Sequence, residues 1–148
     1  MRWLPWNARA FGRARAEDKP VLLSIAAFWS ASCHEMDRTT YADPEIAARI
    51  QDQFIPIRVD ADRRPDIADR YSLGGWPTTA FLTADGEVVG GGTFVAIERM
   101  LPILDRVLAA WRSGHVIHGQ HEQDSHGEDS HGQHGEHGEH GERTEARP

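Results

Sequence analysis

The stretch Lys19–Met36, KPVLLSIAAFWSASCHEM, decides how the chain is read. Val21 to Phe28 is an apolar run with β-branched residues, bounded by Lys19-Pro20, and it reads as a buried strand. The run empties into Trp29-Ser30-Ala31-Ser32 and then Cys33, the only cysteine. A helix beginning near Ser32 sets that thiol at a strand–helix junction. Free N–H groups and the positive end of the helix dipole stabilise a thiolate there. Taken alone, one cysteine also reads as a small buried hydrophobe.

Outward from this stretch, helices and strands alternate. Trp3-Leu4-Pro5-Trp6 is apolar and is expected to pack onto the domain, and Asn7 caps a helix over 8–16. After Cys33, Thr39-Thr40-Tyr41-Ala42 breaks the first short helix, and Asp43-Pro44 opens another with Asp at the cap and Pro at the first turn. Phe54–Val59 reads as a second strand ending at Asp60. Pro65 opens a short helix over 66–71. Thr78–Thr83, the turn Ala84-Asp85-Gly86 and Glu87–Gly90 read as a hairpin, and Gly90-Gly91-Gly92 as a bend. Ile97, Met100, Leu101, Leu104, Val107, Leu108 and Trp111 recur at helical spacing, an amphipathic helix over 96–111 with Pro102 in its early turns. The predicted fold is a single α/β layer domain, residues 1–112, with a mixed sheet flanked by helices.

Charge separates that domain from the C-terminal segment. Residues 1–112 carry 14 Lys+Arg against 15 Asp+Glu, and residues 113–148 carry 2 against 8, within a chain of net charge −7. The nearly neutral domain has no basic stripe, and no nucleic-acid partner is expected. One cysteine leaves no intrachain disulfide. No stretch nears the roughly 20 apolar residues of a membrane span. The N-terminus lacks the apolar core of a secretory signal, so the expected location is cytoplasmic.

The element order and motifs together resemble thioredoxin, and more closely the thioredoxin-like domain of the spermatogenesis-associated protein 20 family. The matching stretches are KPVLLSI (Lys19–Ile25), CHEMDRTTYADPEIA (Cys33–Ala47), VDADRRPDI (Val59–Ile67), GGWPTTAFLTADGE (Gly74–Glu87) and GGTF (Gly91–Phe94). The resemblance implies a thioredoxin-like fold over Trp3–Trp111. That family carries Cys-x-x-Cys-His at the strand–helix junction. Aligned without gaps from Lys19 to Ala47, its second cysteine falls on Cys33, its histidine on His34 and its first cysteine on Ser30. In such folds the first cysteine attacks and the second resolves, so this chain would keep the resolver and lack the attacker. A second register sets Phe28-Trp29-x-x-x-Cys33 against ordinary thioredoxin, which makes Cys33 the attacker of a Cys-x-x-Met motif. The family register spans more residues. Both leave one thiol, and Ser30 cannot form a disulfide.

By the same resemblance, Trp76-Pro77 matches a cis-proline turn that faces the active-site cysteine, with a backbone able to pair with an extended peptide. Trp29 and Trp76 are expected to line a groove beside Cys33, or else to be core. His34 next to Cys33 either tunes the thiol and assists a metal or is a solvent-exposed histidine at a helix start. These two residues alone are too few for structural zinc, which takes four ligands. Met36 reads as core, Asp60 as structural, and Arg63-Arg64 as a solvated pair. Larger family members continue into a helical barrel related to sugar-processing enzymes, and no sugar-processing activity is expected of this chain.

Residues 113–148 are dominated by His, Gly, Glu, Asp, Gln and Ser, and read as a disordered tail. The tail holds eight of the nine histidines: His115, His118, His121, His126, His131, His134, His137 and His140, the last four at every third position. Imidazoles on a glycine-rich chain suit nickel, copper, zinc or cobalt. A solubilising low-complexity extension is the plainer reading, and no cofactor is required by the domain. Three functions compete. In the first, Cys33 is a monothiol that forms mixed disulfides with a protein thiol, which is oxidoreductase-like but short of one cysteine. In the second, a non-catalytic module binds an extended peptide segment at the Trp76-Pro77 groove. In the third, the tail handles a transition metal.

Overall fold

The computed structural model describes residues 1–114. Helix α1 (Ala8–Glu17) starts at Asn7, whose side chain accepts from the Ala10 N–H, and stops where Asp18 turns left-handed at φ 53°. The chain then enters β1 (Val21–Ala26). After a turn come α2 (Ala31–Arg38) and α3 (Pro44–Gln53), the latter capped by Asp43 with Pro44 in its first turn. Strand β2 (Ile55–Asp60), α4 (Pro65–Tyr71), the hairpin β3 (Thr78–Leu82) and β4 (Val88–Gly92), and α5 (Ile97–Ser113) complete the order.

The strands form one sheet in the order β2-β1-β3-β4. β1 and β2 are parallel; β3 runs antiparallel to both β1 and β4. β1 is central and buried on both faces, which is why its sequence is a continuous apolar run. Successive side chains alternate between faces. Val21, Leu23 and Ile25 join a core with α1 and α4, whereas Leu22 joins Met36, Ile46, Ile50, Phe81, Met100 and Leu104 beneath α2, α3 and α5. The N-terminal segment also docks. Leu4 bridges to Ile57 on the outer side of β2 through Leu4 N–H to Pro56 O, 2.9 Å, and Arg58 N–H to Leu4 O, 3.0 Å.

Two expectations change. The first strand ends at Ala26, not Phe28: the chain turns there, with Ser30 N–H bonding Ala27 O at 3.0 Å, and Phe28 is 71% exposed. The triple glycine is not a bend but the second half of β4, with Gly91 opposite Ala80 and Gly92 opposite Thr79. A Cβ on Gly91 would lie 2.5 Å from Thr79 O, so the strand passes its neighbour too closely for a side chain. Met36 is core, as its sequence position implies: it is fully buried. Of the tail read as residues 113–148, Ser113 ends α5 and Gly114 caps it, while its eight histidines lie outside the described residues.

Candidate functional site

Ser30 begins α2. Its φ/ψ are extended, and its side chain accepts from the Cys33 N–H at 3.4 Å, as an N-cap does. Cys33 therefore sits one turn inside the helix, on the face turned to the sheet. It is 4% exposed, and its Sγ accepts the Ala27 N–H at 3.4 Å. Ser30, not Cys33, holds the half-exposed position at the helix start, which agrees with the register that places the family's second cysteine on Cys33. His34 is exposed, and its Nε2 lies 2.6 Å from Phe28 O, where it donates; the ring thus fastens the turn between β1 and α2.

The sheet brings the second half of the site alongside. β1 and β3 pair as far as Ile25 opposite Thr78, so Ala27, two residues past that rung, and the Trp76-Pro77 turn just before Thr78 lie at the same end of the sheet. The amide that bonds the Cys33 sulfur and the Trp76-Pro77 turn, whose peptide bond is cis, thus share one end of the sheet. On the other side of β3 the register runs as far as Thr79 opposite Gly92, so the Thr93–Val95 loop leaves the sheet at this same end. Thr79 Oγ1 donates to Thr93 O at 3.0 Å, and Thr40 Oγ1 to Val95 O at 2.8 Å, so this loop is tied to both β3 and the end of α2. Three strand ends meet at one pole of the sheet.

That pole is apolar and open. Trp29 is 60% exposed, and its indole N–H is satisfied by Asp62 Oδ2 at 3.0 Å, which holds the ring in one orientation. Asp60 accepts from the Asp62 and Arg63 amides and so shapes the turn that presents Asp62. Trp76 is half-buried and packs against the core below. The Trp76 main chain makes no hydrogen bond to other described residues. Phe28 and Phe94 are exposed beside these residues and were not singled out from sequence. Their signal was available: each is a large apolar residue next to a motif, in a segment too short to be covered. Arg63 and Arg64 are exposed as expected, Arg64 paired with Asp66.

Among the described residues no group of three His, Cys, Asp or Glu is placed to hold a metal ion, and no helix is long and apolar enough to cross a membrane.

A family model described as "Thioredox_DsbH: Protein of unknown function, DUF255" matches residues 1–125. The chain belongs to this family. It is 32% identical over 124 residues to human spermatogenesis-associated protein 20, covering 74% of this chain and 16% of that protein. It is 38% identical over 103 residues to the thiol:disulfide interchange protein DsbD of Ralstonia nicotianae, covering 64% of this chain and 16% of the relative. The chain thus spans about one sixth of the length of these curated relatives. In fold it is similar to a thioredoxin from Thermus thermophilus, with a TM-score of 0.67 at 22% identity, covering 85% of this chain and 98% of that one. This Thioredox_DsbH chain has a thioredoxin-like fold, as its motifs imply, and its relatives include thiol–disulfide interchange proteins.

Proposed function

We propose that this chain is a thioredoxin-fold module that binds an extended, cysteine-bearing segment of another protein, and that it does not cycle as a dithiol oxidoreductase. The observation that carries the reading is the burial of the lone thiol behind a serine. A disulfide cycle begins with an exposed attacking thiolate. Here Ser30 stands at the exposed position, and Cys33 sits at the shielded one with its sulfur occupied by the Ala27 amide. What remains is a binding face: Trp29 held by Asp62, the unpaired main chain of Trp76, and the exposed rings of Phe28 and Phe94. Exposed aromatics with few rotamers suit peptide recognition. A mixed disulfide at Cys33 requires its shielding to open first.

Ser30→Cys tests this directly. The introduced thiolate attacks a peptide disulfide and forms a mixed disulfide, and Cys33 then displaces the peptide. The products are an intramolecular disulfide and two peptide thiols. The wild-type chain is expected to show no turnover with a peptide disulfide and glutathione as reductant, and Ser30→Cys is expected to gain it. Turnover by the wild-type chain at a rate within tenfold of the variant overturns the reading.

The tail supports a second reading. His131, His134, His137 and His140 recur at every third residue among glycines and acids, a ligand set for nickel, copper, zinc or cobalt. Cys33 and His34 alone supply too few ligands for a tight site, so the reading rests on the tail. A single free cysteine fits a reducing, cytoplasmic setting.

A further inference from the structure

Behind the site, α2 is tied to the sheet by a cluster that the peptide-binding face does not use. Arg58 on β2 grips Asp37 on α2 with two bonds, Nη1 to Oδ2 at 3.0 Å and Nη2 to Oδ1 at 2.8 Å. The same Nη2 donates to Ser24 Oγ on β1 at 3.2 Å. The guanidinium lies 4.3 Å from the Trp3 ring centroid and 5.7 Å from that of Tyr41. Arg58 and Ser24 share one rung of the sheet, and Thr79 on β3 continues it. A polar rung thus crosses an otherwise apolar face directly beneath α2.

Asp37 is four residues from Cys33, so the two lie on neighbouring turns of the same helix face. Fixing one fixes the lean of the other. α2 has only eight residues, and an isolated helix of two turns is not stable. Its seat on the sheet must come from anchors such as Met36, the Thr40 bond and this fork. A bidentate Arg–carboxylate pair sets orientation as well as distance.

We propose that Arg58, with Asp37, is a positioning latch: it holds α2 against the sheet and so keeps the Cys33 sulfur shielded under Ala27. Release of the latch opens the N-terminal half of α2 without unfolding the domain. The thiol then becomes able to exchange with a disulfide, losing its proton to solvent and forming an S–S bond as the other half of the reagent leaves as thiolate. This proposal stands independently of peptide binding.

The test is the rate at which Cys33 in the full chain reacts with an aromatic disulfide reagent under native conditions, read beside amide exchange at Ala27. Arg58→Met keeps the stem and removes the fork; Asp37→Asn is the near-isosteric second variant. Ala14→Gly, in the core on the opposite face of the sheet, serves as a destabilised control, with the global stability of every variant measured by denaturant unfolding. Both latch variants are expected to raise the thiol rate and the Ala27 exchange rate together by about tenfold, with Arg58→Lys intermediate and Ala14→Gly near wild type. An equal rise in Ala14→Gly, or none in Asp37→Asn, overturns the proposal, because exposure of the thiol would then track global unfolding alone.

Discussion

Tyr41 shows how one atom can work against the fold around it. The residue is 4% exposed, its ring meets Trp3 edge-on with centroids 4.9 Å apart, and its hydroxyl has no hydrogen-bond partner. The Ser24 and Thr79 hydroxyls face the phenol without closing a bond. Burial pushes its pKa up to about 12, with the Arg58 charge pulling the other way. An unpartnered buried hydroxyl costs roughly 1–3 kcal/mol. Tyr41→Phe is therefore expected to leave stability unchanged or raise it by about 1 kcal/mol in denaturant unfolding. The pH dependence has a definite sign. The folded pKa lies above the unfolded value of 10, so the unfolded chain loses this proton first. The contribution is fully present below pH 10 and falls as pH rises toward 12, by on the order of 2–3 kcal/mol. Tyr41→Phe should flatten that alkaline decline. Sequence alone showed Thr39-Thr40-Tyr41-Ala42 as a helix break but not what Tyr41 touches. Trp3, Arg58 and Tyr41 meet only through the fold, and Arg58 and Asp37 are 21 residues apart.

At the scale of elements, β4 shows what composition conceals. Three glycines read as a hinge, since glycine adds flexibility and weakens strands. In the sheet they are bare for different reasons. At Gly91, φ is 156° and a Cβ would meet Thr79 O at 2.5 Å, Leu73 Cδ1 at 2.9 Å and Ala80 Cα at 3.0 Å. At Gly90 a Cβ would meet nothing within 4 Å. Gly91→Ala should cost about 2–4 kcal/mol, whereas Gly90→Ala should stay within roughly 1 kcal/mol of wild type, both read by chemical denaturation. Elements with local signals were legible. Asn7, Asp43 and Pro44 mark helix starts by chemistry that lies within four residues, and the helical spacing marks the buried face of α5 at Met100, Leu104, Val107 and Leu108, whereas Ile97, at the same spacing, is 40% exposed. The end of β1 was not legible. An apolar run does not say where its partners stop: β3 pairs with β1 only as far as Ile25 and β2 as far as Ala26.

For the whole molecule, the sequence divides into a nearly neutral N-terminal stretch and an acidic, histidine-rich C-terminal one. The ligand-poor domain makes the metal experiment simple. Isothermal titration of nickel into the full chain should show binding that Cys33→Ser leaves intact. The combined His→Ala substitution at 131, 134, 137 and 140 should weaken it at least tenfold. Binding should also weaken as pH falls below about 6.5, where imidazole takes up protons in place of metal. If Cys33→Ser abolishes binding, the tail is not the principal site. The site pole itself was half legible: the motifs located Ser30, Cys33 and Trp76-Pro77, but burial of the thiol depended on the seat of α2.

The bridge from Leu4 to β2 bears on how the molecule meets copies of itself. The ends of a sheet are open hydrogen-bonding rows that recruit other strands. Leu4 covers part of one such row, through Pro56 O and the Arg58 N–H, while β4 forms the other edge. A short segment outside the regular strands thus narrows the open hydrogen-bonding edge that β2 presents to other chains.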